Sequence, residues 1–274
     1  MKPYLAIIAM DIKLALRLRA VIFFNYLFPL IFFFTFATIL SRQPDRMYFV
    51  VNMSVTLGVL GSGFFGAGIR AIQERELNIL RRYKVTPITP APLLVGSMFT
   101  GWAIFIPYII LLLLMAHFIY RMPLPAHFFE LLVFISLGLI AFRSLGLVIA
   151  SVANTMQEGT ILVQLFYFPM LFLSGATFPA EMFPRVMNII HNFVPATYLV
   201  KGMQNIMLKG ESLFEKENLA AVLVLILTTI GGTLISMKLF RWEKEEKIRG
   251  SAKLWVLAIL TPFFVMGIWE WMHL

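Results

Sequence analysis

Apolar residues in this chain gather in long unbroken runs, not in period-two alternation or narrow helical stripes. A hydrocarbon layer about 30 Å thick is crossed by roughly 20 residues of helix. Six runs reach that length, at 21–40, 48–69, 93–120, 128–152, 219–239 and 254–272. A seventh, 161–175, is shorter alone, and the residues before it can extend it. Continuous runs of this kind predict membrane-crossing helices, because a barrel strand alternates over about ten residues. The pattern therefore predicts an all-α integral membrane protein with seven spans.

Composition agrees. Of 274 residues, 60% are hydrophobic and 14% charged, against roughly 45–50% and about 25% in soluble domains. Twenty-seven Phe exclude a disordered chain. The formal charge of +9 raises nucleic acid as a partner, but placement argues otherwise. Fifteen of the Lys and Arg fall in residues 1–20, in the loop after the second span, and in the segment 238–253. These three segments alternate with spans so as to lie on one side, which the positive-inside rule makes cytoplasmic. The N-terminus is then inside and the C-terminus, after an odd number of spans, outside. The loop at 153–160 has no Lys or Arg, so its side rests on its neighbours.

Three segments depart from simple spans. Residues 1–20 carry Lys13 and Arg17 on one helical face and Leu5, Ile8, Ile12 and Leu16 on another, the pattern of a helix lying in the membrane interface. The stretch from Arg70 mixes charge with Ile72, Leu77, Ile79 and Leu80 and is closed by Pro87, Pro90 and Pro92, predicting a short cytoplasmic helix. Residues 176–218 contain Pro179, Pro184 and Pro195 between apolar stretches too short to cross, which suits re-entrant elements on the outer side.

Chemistry-bearing patterns are few. Without Cys there is no disulfide or thiolate site, and the four His show no metal-ligand spacing. The run Gly61-Ser-Gly63-Phe-Phe-Gly66 matches a dinucleotide fingerprint, but it lies inside a span with no strand before it. Gly58, Ser62 and Gly66 instead predict a face for close helix packing. No P-loop is present, so nucleotide energy would come from a separate polypeptide. Arg143 is the main ionisable group deep in a span, and snorkelling to the cytoplasmic interface is the expected outcome. Intramembrane carboxylates for ion coupling are scarce, and His127 with Glu130 is a weak basis for catalysis.

Two regions together resemble the membrane subunits of type-2 ABC exporters. The first is Gln73-Glu74-Arg75-Glu76, followed by Leu80 and Pro87, before a span containing Gly96. The second runs from Pro169 through Leu173-Ser174-Gly175, Phe178-Pro179 and Phe183-Pro184 to Pro195-Ala-Thr-Tyr198. The order of elements matches over residues 1–240. The resemblance implies a six-span permease domain over 21–240, an amphipathic connector over 1–20, a coupling helix at about 70–85 and an outer re-entrant segment at about 176–218. Residues 241–274 add a basic linker and a further span, a departure from the pattern, as is Asn78 where Gly is frequent.

The function implied is a permease subunit in the inner (plasma) membrane, working with two ABC ATPase subunits and a second or related permease. No cofactor belongs to this chain; ATP and Mg would sit on the partner ATPase. Coupling falls to Gln73, Glu74, Arg75, Glu76, Leu80, Arg81 and Arg82. An aromatic substrate path would use Phe64, Phe65, Phe166, Phe168 and Phe172, and an outer gate Ser174, Gly175, Phe178, Pro179 and Tyr198. A drug, a lipid or a lipid-linked glycan would suit the path. A secondary transporter and a non-transporting accessory subunit are the alternatives.

Overall fold

The computed structural model describes residues 9, 12–13, 22–40, 44–84 and 88–272. The interfacial helix predicted over 1–20 therefore lies, but for three residues, outside the described part, as does Pro87. Among the described residues the architecture is all-helical.

A π turn, Phe23–Leu27, leads into α1 (Phe28–Leu40). Next, α2 (Pro44–Gly61) runs without a break through a π segment, Ser62–Ile69, into α3 (Arg70–Glu76), with α4 (Ile79–Tyr83) after one turn. The long helices α5 (Pro90–Tyr120), α6 (Phe128–Val152) and α7 (Met156–Leu173) follow. Short helices α8 (Arg185–His191) and α9 (Pro195–Gln204) precede α10 (Lys216–Lys238) and α11 (Trp255–Met272). Among the described residues five helices are long and apolar enough to cross a membrane, and α1 and the end of α11 are shorter apolar helices. The short run at 161–175 is extended backwards to Met156, where Thr155 caps the helix by accepting from the Glu158 amide at 3.1 Å.

The centre is α6 against the π segment, with α10 on its other flank. Backbones meet there almost directly. A Cβ on Gly146 would stand 2.0 Å from the Gly63 carbonyl oxygen, and one on Gly68 2.9 Å from the Gly146 oxygen. Gly63 and Gly68 are five residues apart, the hydrogen-bond spacing of a π-helix, so the wider winding puts both on the contact. The face predicted for close packing (Gly58, Ser62, Gly66) is closely packed by side chains: Gly58 receives the Phe105 ring, while Ser62 and Gly66 face Arg143.

Arg143 does not snorkel. It is 3% exposed and spans three helices. One guanidinium nitrogen donates to the Ser62 carbonyl (3.0 Å) and hydroxyl (2.9 Å), and the other to the Ser97 carbonyl (2.7 Å) and hydroxyl (3.1 Å). Its plane lies on Gly101, where any Cβ would overlap it. Four neutral acceptors replace water, which removes the drive to reach the interface.

The last helix is built into the bundle. Ile259 and Phe263 are buried, Phe263 lies 5.8 Å from the Tyr198 ring, and the Lys238 ammonium sits 4.4 Å over Trp255.

Candidate coupling element and outer cavity

The bundle has a basic end, where α3, α4 and residues 239–250 gather, and a far end holding α8 and α9. At the basic end the chain turns sharply between α3 and α4 because Asn78 adopts φ +56°. That left-handed conformation is one Asn tolerates better than most residues, so Asn replaces the frequent Gly at little cost.

Residues grouped as one coupling set point in two directions. Arg75, 4% exposed, turns inward and donates to the carbonyls of Ala150 (2.9 Å) and Ala153 (2.6 Å). These are orphan acceptors at the C-terminus of α6, where a cation also meets the negative end of the helix dipole. Glu76 turns inward too and accepts from the Met156 amide at the start of α7, the corresponding position for an anion. Ile72 is fully buried against Ala150 and Ala153 and beside Gly159. The α3–α4 corner is thus fastened to the α6–α7 turn by one cation, one anion and one apolar plug. The loop at 153–160, lacking Lys and Arg of its own, receives Arg75 and Arg241 from elsewhere in the chain.

The outward side holds Gln73, Arg81 and Arg82, all exposed. Glu74 is paired with Arg70 at 2.7 Å, and Leu80 is buried at 7% exposure. Leu77, 60% exposed, is the apolar residue standing out between these charges. The sequence marks Leu77 among the apolar residues of this stretch but does not separate it from its buried neighbours Ile72 and Leu80.

At the far end a cavity of about 580 Å³ opens between the ends of α1 and α2 and the short helices. Its wall mixes Leu40, Phe49 and Val200 with Arg46, Asn52, Lys201 and Gln204. Of the gate residues, Ser174, Gly175 and Pro179 line it, with Gly175 at φ +84° turning the chain out of α7. Tyr198 is buried and donates to the Asn192 carbonyl at 2.8 Å. Phe178 is half exposed and stacked on Phe172. His191 donates its Nδ1 hydrogen to the Leu173 carbonyl at 2.7 Å, joining α8 to the end of α7, and burial holds its imidazole below the ordinary histidine range. Lys201 is held by Asn192 (3.0 Å) and by Glu270 of α11.

The aromatic path residues divide likewise. Phe64 is fully buried against Phe142 and Tyr167, with Phe65 packed on the same Tyr167. Phe166 is half-buried. Phe168 and Phe172 are exposed and stack at 6.4 Å, and Phe178 continues the ladder at 6.3 Å. With Ile161, Gln164 and Leu165 they form one open face of α7, whose apolar window is only 22% buried against 83% for Arg46–Glu76. His127 and Glu130 do meet, at 3.0 Å, but the other Glu130 oxygen accepts from the Ser212 hydroxyl at 2.8 Å, tying the start of α6 to the loop before α10.

Residues 3–208 match the ABC-2 type transporter membrane family, well over half of the chain. The chain belongs to that family. It is 28% identical over 201 residues to the inner membrane transport permease YhhJ of Escherichia coli, covering 73% of this chain and 53% of that protein. To ABC transporter G family member 20 of Dictyostelium discoideum it is 31% identical over 157 residues, 57% of this chain and 21% of the relative. The E. coli protein named "Probable multidrug ABC transporter permease YbhS" shares 22% over 201 residues, 73% of this chain and 52% of its own. The chain spans about half the length of the first of these relatives. As an ABC-2 permease subunit it is a multi-pass membrane protein. The family match ends before α10, the following linker and α11.

Proposed function

We propose that the chain forms the passage of an ATP-driven exporter, with the basic end in the cytoplasm and the C-terminus outside. Two ABC ATPase subunits carrying ATP and Mg bind below Gln73, Glu74, Arg81 and Arg82, and the closing of those subunits is passed through Arg75, Glu76 and Leu80 into the bundle. A second copy or a related permease faces the open side of α7. The passage runs past Phe65, Phe166, Phe168 and Phe172, with Phe64 behind them, towards an outer gate at Ser174, Gly175, Phe178, Pro179 and Tyr198. Its cargo is amphipathic: a hydrophobic drug, a lipid or a lipid-linked glycan.

The observation that carries this reading is the double attachment of α3. Arg75 holds the end of α6 and Glu76 the start of α7, so a push on the α3–α4 corner reaches two spans at once. Only a difference in contact energy between two packings can move such an equilibrium, and a joint made of charged groups on helix termini supplies one. The open aromatic face of α7 and the mixed lining of the far cavity support an amphipathic cargo.

The test is a Leu77→Asp exchange in the assembled transporter, reconstituted in vesicles with a fluorescent hydrophobic dye. Leu77 is exposed, so folding should persist while dye-stimulated ATP hydrolysis falls about tenfold, the effect of losing roughly 1.4 kcal/mol at a buried apolar contact. Hydrolysis and dye movement both equal to the unaltered protein would defeat the reading.

A further inference from the structure

The segment 241–250 joins α10 to α11 and contains no regular helix before Gly250. A simple tether would hang free. This one is fastened along its length to the same joint that holds the coupling element. Arg241, 7% exposed, donates to the carbonyls of Ser151 (2.9 Å) and Ala153 (2.6 Å), and its other nitrogen to Asn154 Oδ1 (2.8 Å) and the Glu246 carbonyl (2.7 Å). The Ile248 amide donates to that same Asn154 oxygen at 2.9 Å. Ala153 thus accepts from Arg75 of α3 and from Arg241 of the linker. On the other side Glu243 reaches Lys84 at 3.0 Å and Arg81 at 4.0 Å, and Glu246 reaches Lys84 at 3.8 Å.

We infer that residues 241–250 form a second wall of the docking surface for the nucleotide-hydrolysing subunit, continuous with the α3–α4 corner. Arg241 and Asn154 hold the wall from inside, while the Lys84–Glu243 pair joins it to α4. Lys244, Glu245, Glu246 and Lys247 form an exposed row along the sequence directly after Glu243, which itself reaches Arg81. The partner face that fits this row carries both signs of charge, unlike the apolar groove that Leu77 and its neighbours call for. The inference rests on the proposed coupling function, and extends it to a part of the chain beyond the family match.

The chain has no Cys, so single cysteines can be placed in it without background. Gln73→Cys, Lys244→Cys and Phe214→Cys, the last exposed at the far end, are each labelled with a benzophenone maleimide in membranes holding the assembled transporter. The nucleotide-hydrolysing subunit is marked by radioactive azido-ATP. The expected result is a radioactive adduct from positions 73 and 244 and none from 214. An adduct from 73 without one from 244 overturns the second wall and leaves the coupling function standing. One from 244 alone, or from neither, overturns the coupling function, and one from 214 makes the contacts non-specific and overturns both. Lys84→Glu or Glu243→Lys should lower the adduct from 244 by up to about fivefold, the reach of an exposed ion pair. The two reversals together should restore it. Reversals without effect would overturn the role given to that pair.

Discussion

The two ends of this bundle solve the same task, holding short elements onto long helices, by different physics. At the basic end the fasteners are charged side chains on backbone groups at helix termini: Arg75 and Arg241 on the carbonyls that close α6, Glu76 on the first amide of α7. Such acceptors cannot swing away, and the cavity under α3 and α4 is only about 100 Å³. At the far end the donors to backbone carbonyls are neutral, His191 on Leu173 and Asn52 on Val200, and the charge sits in a side-chain pair. Lys201 is held by Glu270 and Asn192, and the elements it joins border about 580 Å³ of open space.

The comparison is broken most directly at glycine. Gly146→Ala places a Cβ against fixed backbone in the basic half of α6 and should cost about 3 kcal/mol, the upper range for overpacking. Gly138→Ala, nearer the far end of α6, meets only the Leu199 side-chain tip and should cost well under half as much. Thermal unfolding in detergent measures both, and equal costs would erase the contrast.

Arg75→Gln comes next. A charged donor on a carbonyl contributes about 1.5–3 kcal/mol, so amide hydrogen exchange in α3 should accelerate at least tenfold, roughly what 1.4 kcal/mol allows. Arg75→Lys should rescue little, since a single ammonium cannot serve both carbonyls with a planar fork. Exchange in α3 as slow as in the unaltered protein would show that the joint is held by Glu76 and Ile72 without Arg75.

Glu270→Gln should be milder. The Lys201–Glu270 pair is partly exposed, and pairs of that kind contribute about 0–1 kcal/mol. Exchange in α9 should rise by no more than about fivefold with the melting temperature unchanged.

The smallest effect concerns pH. Lys84 holds the Glu243 carboxyl below its usual range, and Glu243 holds the Lys84 ammonium above its own. The carboxylate's share is present above the ordinary carboxylate pKa and is lost as pH falls through the lowered value. The ammonium's share is present below the ordinary lysine pKa and is lost as pH rises through the raised one. Exchange at the Ile248 amide, corrected for its intrinsic rate, should therefore stay flat between about pH 5 and about pH 9.

The long helices were legible because each is an apolar run, and the short run at 161–175 was open to backward extension, which the Thr155 cap brings to an end. The α3–α4 corner was legible as a short charged element closed by prolines. Its inner and outer sides were not, because Arg75 and Glu76 owe their direction to carbonyls and amides some eighty residues later. The same distance hid Arg143, whose acceptors lie on two other helices. A period of four for Gly58, Ser62 and Gly66 was visible, but the contact formed by Gly63, Gly68 and Gly146 depends on a π winding that no spacing rule for α-helices anticipates. The far cavity was legible only as a proline-broken region, since its wall is drawn from five separate segments.

Arg143 also bears on biogenesis. Both residues that receive its guanidinium, Ser62 and Ser97, precede it in the chain. A lone arginine in mid-helix raises the cost of leaving the translocon by about 2.5–3.5 kcal/mol. Synthesis order lessens that obstacle, since when α6 emerges its two hosts have already been made and can wait beside the exit.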